Sequence, residues 1–275
     1  MTQEELLEGA VIPIDKPLQW TSFQAVNKVK AIIRNHYGLK KFKIGHAGTL
    51  DPLATGLLLV CVGKATKRID ELQAGEKVYT GTMVLGATTP CYDLERAIDS
   101  YYPYEHITPE LVQQVLPQFL GDIEQVPPIF SAVKIDGQRA YCYAREGEAP
   151  EPTSKRVTIR QFEVTGLRIN TDLQTSVPDA TPTETHETNN LKLYDHPQGV
   201  VPPHLPQLDF RIRCSKGTYI RSLARDLGLA LGSGAFLASL RREQVGDYTL
   251  ADALALDAVE AYLTAGALSK LKIES

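Results

Sequence analysis

The sequence lacks the features that mark membrane proteins, disulfide-rich proteins and zinc proteins. Its four cysteines are scattered, with no C-x-x-C pair and no histidine at ligand spacing, which argues against a disulfide framework and a metal site. No apolar run approaches the roughly 20 residues that cross a bilayer, and the acidic start "MTQEELLEGA" is unlike a signal peptide. We therefore expect a cytoplasmic protein with reduced thiols, no membrane association and no metal.

The chain also has no overall excess of positive charge: its net charge is −4. The charge is nevertheless unevenly distributed: residues 1–70 carry ten Lys or Arg against six Asp or Glu, and residues 208–245 carry seven against three. An acidic protein of this kind can still present a positive surface to phosphates, because binding depends on the local field. For either block alone, a chance run of solvated lysines is the alternative.

The order of strand and helix patterns, without regular βαβ alternation, favours an α+β architecture with a mixed or largely antiparallel sheet. One helix is predicted to follow the capping box of Thr21 and Gln24, and another to run from Pro109 to Gly121. The apolar face of the first helix would hold Phe23, Val26, Val29 and Ile33. That of a third helix would hold Ile220, Leu223, Leu227 and Leu231.

Two segments depart from these regular patterns. Residues 170–207 are crowded with Thr, Pro, Asn and Asp and lack an apolar period, which predicts a long insertion between two strands. After Arg242 the chain continues for about thirty residues whose pattern predicts helix.

The stretch "KIGHAGTLDPLATGLLLV", residues 43–60, concentrates residues that carry chemistry. A phosphate-binding P-loop is excluded, because Leu58 and Ala65 stand where glycine and Ser or Thr are required. A phosphatase with an aspartate nucleophile is disfavoured, because Gly45 and Ala47 stand where its two aspartates would lie and no second carboxylate cluster could hold Mg²⁺.

What remains is one carboxylate, Asp51, followed by Pro52, which restricts the backbone of the preceding residue. Alone, an aspartate before proline is more often a turn residue. The neighbouring residues favour a binding loop, because glycines permit close approach of a ligand, the histidine offers a ring, and hydroxyls lie nearby. These neighbours are Gly45, His46, Gly48, Thr49 and Thr55.

The segment "GHAGTLDPLATGLL" closely resembles the catalytic loop of the TruB family of tRNA pseudouridine-55 synthases, whose pattern is G-H-x-G-[TA]-L-D-P-x-A-[TS]-G. Further blocks follow in family order, so that the resemblance spans residues 9–245. They are "DKP" at 15–17, "KVYTGTMVLG", "PPIFSAVKIDGQRAYCYAREG", "CSKGTYIRSLARDLG" and "LRR" at 240–242.

The resemblance implies the pseudouridine synthase fold, a bent, mixed, largely antiparallel sheet flanked by helices with a central catalytic cleft. Residues 9–245 would form the catalytic domain, with 170–207 as an insertion longer than the corresponding connection in typical members. Residues 246–275 would form a short helical tail. Many members carry a C-terminal PUA domain at this point, and the sequence is too short after Arg242 for a full one.

The implied activity is isomerisation of the T-loop uridine, uridine-55, of tRNA to pseudouridine by base flipping, without cofactor or metal. The motif aspartate of the family corresponds to Asp51, which acts at C1′ of the ribose. Whether it forms a C1′ adduct or removes a sugar proton to give a glycal stays open. We expect the enzyme to be a monomer.

The family's other site residues transfer one by one. Tyr79 matches the tyrosine that stacks on the flipped uracil, and Arg221 matches the arginine that pairs with the catalytic aspartate. Without the resemblance, Tyr79 equally fits a core tyrosine and Leu240 a core leucine. The implied substrate-binding set is Lys16, Gly45, His46, Gly48, Tyr79, Tyr219 and Leu240, in which His46 wedges into the RNA loop.

The T arm would be gripped by the basic helix 22–36, by Lys64, Lys67 and Arg68, and by a thumb-like segment, 125–147. An RNA-binding or tRNA-folding factor that uses the same cleft without turnover is the alternative class. A phosphatase-like enzyme is a more distant one.

Overall fold

The structure is a computed structural model that describes residues 1–129, 153–169 and 199–265, together with the backbone of 134–135 and 138–139. The chain divides into two compact units. The first comprises Met1–Tyr79 and the residues from Leu240 onward, and the second comprises Thr80–Ser239. Both contain largely antiparallel strands together with helices, which confirms the predicted α+β class.

The secondary structure elements are named in chain order. The helices are α1 (Gln3–Gly9), α2 (Ser22–Tyr37), α3 (Ile69–Ala74), α4 (Pro109–Val115), α5 (Ile220–Ala230) and α6 (Val259–Thr264). The strands are β1 (Ala10–Lys16), β2 (Ile44–Ala47), β3 (Ala54–Val62), β4 (Lys77–Leu85), β5 (Ala87–Thr88), β6 (Ser100–Tyr101), β7 (Gly121–Gln125), β8 (Lys134–Ile135), β9 (Gln138–Arg139), β10 (Lys155–Arg168), β11 (Gln207–Cys214), β12 (Ala235–Val245), β13 (Tyr248–Thr249) and β14 (Leu254–Ala255). Short 3₁₀ helices cover Gly63–Arg68, Leu116–Phe119 and Leu250–Asp252.

Strand β3 is the centre of the first unit. It pairs antiparallel with β1 and β2, and its first residues pair parallel with β12. Residues 57–62 are fully buried, as expected for a strand covered on both faces. The apolar run "LLLVCV" is the sequence counterpart of this burial. Its N-terminal end carries the loop that contains Asp51.

Helix α2 forms where the capping box predicts it. The Gln24 amide donates to Thr21 Oγ1 at 3.0 Å, the Thr21 amide donates to Gln24 Oε1 at 2.8 Å, and the left-handed Gly38 ends the helix. The buried face differs from the prediction at Phe23, which is 70% exposed. Ser22 is buried instead, since it lies closer to the direction of the other buried residues around the helix axis.

The second unit places β10 between β11 and β7, with antiparallel pairing on both sides. Its strand β11 alternates buried and half-buried residues, as its sequence predicts. Helix α5 buries the predicted apolar face. A hydrophobic cluster forms around Val84, Ala87, Leu205 and Phe236.

Two predicted helices are shorter in the structure. Helix α4 begins at Pro109 as expected but ends at Val115, and the chain continues as a 3₁₀ helix that contains Pro117. Proline has no amide hydrogen for the α-helical bond, which explains the change. Among the described residues after Arg242, up to residue 265, only Val259–Thr264 forms an α-helix, because Leu254 and Ala255 pair in parallel with Ile14 and Asp15 of β1.

The end of the predicted insertion packs onto the second unit. The Gly199 amide donates to Leu94 O at 3.1 Å, and Leu205 is buried. Residues 170–198 lie outside the described part of the chain, so the insertion and the domain boundaries stay predictions. Strands β8 and β9 pair with each other, antiparallel. No described helix is long and apolar enough to cross a membrane.

Candidate active site

Asp51 lies in the loop that joins β2 to β3. The loop starts at Gly48, whose φ of 94° lies in the left-handed region that glycine adopts without strain. After Asp51 the chain turns directly into β3, and the Ala54 amide donates to Asp51 O at 3.1 Å. The loop is therefore short and attached at both ends to paired strands.

The residue before Asp51 is held by Ser22. The Leu50 amide donates to Ser22 Oγ at 2.8 Å, and Ser22 Oγ in turn lies 3.1 Å from Leu50 O. Ser22 is buried in the first turn of α2. The N-terminus of this helix thus fixes both backbone polar groups next to the carboxylate residue.

The residue after Asp51 is held from the other side by Lys16 and Gln19. Lys16 is fully buried, and its Nζ donates to Pro17 O at 3.0 Å, Trp20 O at 2.6 Å and Pro52 O at 3.3 Å. The Gln19 amide also donates to Pro52 O, at 2.9 Å. The ammonium of Lys16 therefore ties the segment after β1 to the loop of Asp51.

Arg242 holds the start of the loop. It is buried, and its guanidinium donates to Leu57 O at 2.7 Å, to Gly48 O at 3.0 Å and to Thr49 O at 3.4 Å. A planar guanidinium with fixed donor directions suits such a set of carbonyls. Because polar groups buried without partners cost free energy, these bonds restrict the loop to one conformation.

Burial governs the protonation of Lys16 and His46. It lowers the pKa of Lys16 to about 8, against an opposing attraction from Asp51 and with a further lowering by Arg242. Burial and the Arg242 charge also lower the pKa of His46, so the imidazole is neutral at physiological pH. Its Nδ1 is buried and has no hydrogen-bond partner among the described residues.

The lowered pKa of Lys16 predicts a pH-dependent stability. Between about pH 8 and 10.5 the unfolded chain binds the proton more strongly than the folded one. This contribution to stability is therefore present in full above pH 10.5 and is lost as the pH falls through 8. In urea unfolding, the unfolding free energy of wild type should rise relative to that of Lys16→Met as the pH rises through this window. A constant difference would contradict the lowered pKa, and Lys30→Met, at an exposed lysine of α2, controls for the loss of charge.

The other predicted residues of the first unit lie on the strands around this loop. His46 lies on β2 opposite Val60, and Gly45 opposite Cys61. Leu240 on β12 pairs with Ala54, three residues after Asp51. Tyr79 is a nearly buried residue of β4.

Tyr219 and Arg221 belong to the second unit, at the start of α5. Tyr219 is the N-cap residue, and the buried side chain of Gln125 bonds both of its backbone groups. The Tyr219 amide donates to Gln125 Oε1 at 2.7 Å, and Gln125 Nε2 donates to Tyr219 O at 3.1 Å. Ser222 Oγ adds a bond to Val126 O at 2.8 Å. The end of β7 thus fixes the helix start that presents Tyr219 and Arg221.

Arg221 is buried and contacts the turn at residues 91–93. Its Nη1 donates to Cys91 O at 3.2 Å, and its Nε lies 3.7 Å from Asp93 Oδ2. Asp93 is also buried, and its Oδ1 accepts from the Glu95 amide at 3.0 Å. A buried arginine beside a buried carboxylate is the type of ion pair that fixes a guanidinium in one orientation.

All predicted site residues except Tyr219 and Arg221 belong to the first unit: Lys16, Gly45, His46, Gly48, Asp51, Tyr79 and Leu240. Sequence reasoning missed several buried polar residues that hold the site residues in place. A candidate signal was available only for Arg242, which lies in the "LRR" block. The missed residues are Ser22, Asp93, Gln125 and Arg242. In the part of the chain that the structure describes, no group of three or more His, Cys, Asp or Glu could hold a metal ion.

Comparison with known proteins identifies the family. The model of the N-terminal domain of TruB family pseudouridylate synthases matches residues 34–220. The chain belongs to the TruB family. A second model, the tRNA pseudouridylate synthase B C-terminal domain, matches residues 221–271. The resemblance that the motifs carry is therefore confirmed.

Relatives in the TruB family align over most of the chain. The tRNA pseudouridine synthase B of Flavobacterium johnsoniae is 52% identical over 92% of this chain and 96% of its own length. That of Phocaeicola vulgatus is 48% identical over 93% of this chain and 94% of its own. That of the more distant Thermobifida fusca is 41% identical and is covered over 76% of its length.

A solved structure shows the same fold. A chain in the crystal structure of a Cbf5-Nop10-Gar1 complex is 25% identical, with a TM-score of 0.61 over 96% of this chain and 57% of that chain. A chain in an H/ACA RNP bound to a substrate RNA containing 2′-deoxyuridine gives a TM-score of 0.56 at 23% identity. Together with the TruB family models, these similarities confirm the predicted pseudouridine synthase fold.

Proposed function

We propose that this chain isomerises the T-loop uridine of tRNA, uridine-55, to pseudouridine, with Asp51 as the catalytic carboxylate. The observation that carries the proposal is the fixed loop of Asp51, in which buried side chains hold the residues on both sides of the carboxylate. Such pre-organisation is what a reacting group requires. TruB family membership and the relatives named tRNA pseudouridine synthase B support the same reaction.

The reaction moves one glycosidic bond. The bond from uracil N1 to C1′ breaks, the uracil turns, and C5 bonds to C1′; the C5 hydrogen leaves as a proton and N1 gains one. Asp51 has two routes to assist, as nucleophile at C1′ or as base at the sugar, comparable to carboxylates in glycoside hydrolysis. The change is an isomerisation without redox step or energy input, so it requires no cofactor, and we propose that it requires no metal.

The proposal assigns the remaining residues by their family positions. Tyr79 stacks on the flipped uracil, since an aromatic face replaces the lost base stacking. Tyr219 and Leu240 contact the substrate. His46 wedges into the RNA loop, and its lowered pKa supports a neutral ring in that position. Gly45 and Gly48 permit close approach of the RNA.

The structure shows what holds Arg221 and Lys16 in place. Arg221, which the family position pairs with Asp51, is held by Cys91 O and by the Asp93 carboxylate. Lys16 is predicted to bind substrate, yet its ammonium is fully buried and donates to three carbonyls. These bonds support a role in positioning the loop of Asp51, and direct substrate binding by Lys16 stays a prediction.

The tRNA T arm is the proposed partner. On α2, Lys28, Lys30 and Arg34 are exposed, and they form a basic face for phosphate contacts. Lys64 and Arg68 pair at the surface with Glu8 and Glu71, and their contacts with the T arm stay a prediction. The side chains of the thumb-like segment from residue 130 onward lie outside the described residues. We also propose that the enzyme is a monomer and acts in the cytoplasm.

Tritium release tests the activity and its target together. A tRNA transcript labelled at uracil C5 loses its label when C5 bonds to C1′. We expect wild type to release one equivalent of label per tRNA with EDTA present, and none from a transcript whose T-loop uridine is replaced by cytidine. Equal release from both transcripts would reject the T-loop target. Binding of the tRNA without any release would indicate an RNA-binding factor instead.

A further inference from the structure

The turn that contacts Arg221 contains a residue in a strained backbone conformation. Tyr92 has a φ of 61°, in the left-handed region that favours glycine. It lies between Cys91, whose carbonyl accepts from Arg221, and Asp93, whose carboxylate lies beside it. The geometry of this one residue therefore sets the relative placement of both groups that hold Arg221.

Backbone bonds fix the turn in this conformation. The Leu237 amide donates to Tyr92 O at 2.9 Å, the Tyr92 amide donates to Thr89 O at 3.1 Å, and Thr89 Oγ1 donates to Asp93 O at 2.7 Å. Each of these bonds would also form if residue 92 were glycine. They explain how the strain is tolerated, and they leave open why a tyrosine occupies a position that glycine would fill without strain.

The tyrosine side chain has its own partner. The guanidinium carbon of Arg225 lies 5.3 Å from the centroid of the Tyr92 ring, within the range of a cation–π interaction. Arg225 is itself fixed, since its Nε donates to Asp226 Oδ1 at 2.7 Å and its Nη2 donates to Val126 O at 3.2 Å. Burial alone would lower the pKa of Arg225, and hydrogen bonds with Asp226 and Tyr92 raise it overall.

Arg221 and Arg225 are four residues apart on α5 and so lie on one face of the helix. Arg221 contacts the turn at Cys91 and Asp93, and Arg225 contacts the ring between them. The turn and the helix are thus joined at two successive arginines.

We propose that Tyr92 is a positioning residue for the isomerisation: its side chain, in contact with Arg225, holds residues 91–93 in the conformation that orients Arg221. The inference rests on the proposed function, in which Arg221 pairs with the catalytic carboxylate. A non-glycine residue in a strained backbone conformation indicates a role for its side chain, and the side chain of Tyr92 contacts Arg225.

Three variants test separately what the aromatic ring, the hydroxyl and the backbone strain of Tyr92 contribute. Tyr92→Phe keeps the ring, Tyr92→Ala removes it and keeps the strain, and Tyr92→Gly removes the ring and relieves the strain. We expect single-turnover tritium release at saturating enzyme to fall about 10- to 100-fold for the Ala and Gly variants, as for other misplaced catalytic groups. The Phe variant keeps the ring and loses the hydrogen bond to Arg225, so its rate should lie between those of wild type and the Ala variant, and tRNA affinity should be unchanged in all three.

A merely structural role makes a different prediction. If Tyr92 were only structural, Tyr92→Gly would have the wild-type rate, provided that thermal unfolding shows it to be as stable as wild type. That result would overturn the proposal. A double-mutant cycle with Arg225→Met adds a second test, because residues that act through one contact are not additive. We expect the double variant Tyr92→Ala/Arg225→Met to be no slower than the slower single variant, and multiplied losses would overturn the proposal.

Failure of the positioning role of Tyr92 can be distinguished from failure of the proposed function. Release by wild type with an unchanged rate for Tyr92→Ala overturns the positioning role alone. Absence of release by wild type overturns the proposed function and the positioning role together.

Discussion

Asp51→Asn is expected to lower the single-turnover rate of pseudouridine formation by more than about 10⁴-fold, the scale of losing an essential catalytic group. Asparagine has the same shape but carries no negative charge, so it can neither bond to C1′ nor remove a sugar proton efficiently. The loop itself should persist, because Ser22 and Arg242 bind its backbone and make no use of the Asp51 carboxylate in these bonds. The rate is measured by tritium release at saturating enzyme.

Binding and stability decide how this loss is interpreted. We expect Asp51→Asn to bind tRNA at least as tightly as wild type, because the substitution removes a negative charge near phosphates. Thermal unfolding should be unchanged within a few degrees. Asp247→Asn, at an exposed aspartate of the same unit, is the matched control and should have the wild-type rate. A rate for Asp51→Asn within tenfold of wild type would show that the carboxylate is not the catalytic group.

Arg221→Lys should lower the single-turnover rate by about 10²- to 10³-fold, the usual cost of removing a pre-organised electrostatic contact. Arg221 contacts Cys91 O through Nη1 and lies beside Asp93 through Nε. A lysine ammonium keeps the charge, but it cannot reproduce this fixed, planar arrangement. Arg156→Lys, at an exposed arginine that pairs with Asp122 in the same unit, is the matched control. An unchanged rate for Arg221→Lys would contradict the assigned role.

The ion pair also allows catalysis to be separated from stability. Arg221→Met removes the guanidinium beside the buried Asp93 carboxylate and should destabilise the fold by about 3–5 kcal/mol. The double variant Arg221→Met/Asp93→Leu removes both charges, and urea unfolding should show that most of the stability returns. Its activity should stay as low as that of Arg221→Met. Recovery of activity along with stability would mean that Arg221 is a structural residue only.

The local elements of the fold follow from local sequence signals. The capping box of Thr21 and Gln24 predicts α2, and the apolar run in residues 57–62 predicts the buried strand β3. Both depend on residues within a few positions of each other, so the sequence pattern contains the information. Phe23 is the exception on α2, because an apolar residue at roughly helical spacing need not lie on the buried face.

The contacts that hold the candidate site join residues far apart in the chain. Ser22 binds Leu50, Arg242 binds Gly48, and Gln125 binds Tyr219, and in each case the partners are brought together by the tertiary fold. Sequence periodicity carries no signal for such pairs. A serine in a helix turn or an arginine in a strand is usually solvated, so burial had to be observed before these residues could be assigned a role.

The dependence on tertiary contacts also explains why the strand in the C-terminal segment and the role of Asp93 could not be predicted from the sequence. Leu254 and Ala255 have helical neighbours in sequence, yet pairing with β1 places them in a strand, which is a case of tertiary context overriding propensity. Asp93 has no motif of its own in the sequence pattern. Its importance follows from its position 3.7 Å from Arg221 and from the burial of both side chains.

The most direct test is to measure pseudouridine itself. An unmodified tRNA transcript is incubated with wild type, digested to nucleosides and separated by chromatography, which resolves uridine from its isomer. The account predicts one pseudouridine per tRNA with wild type, none from a transcript whose T-loop uridine is replaced by cytidine, and none with Asp51→Asn. Binding of the tRNA by wild type with no pseudouridine formed would contradict the account.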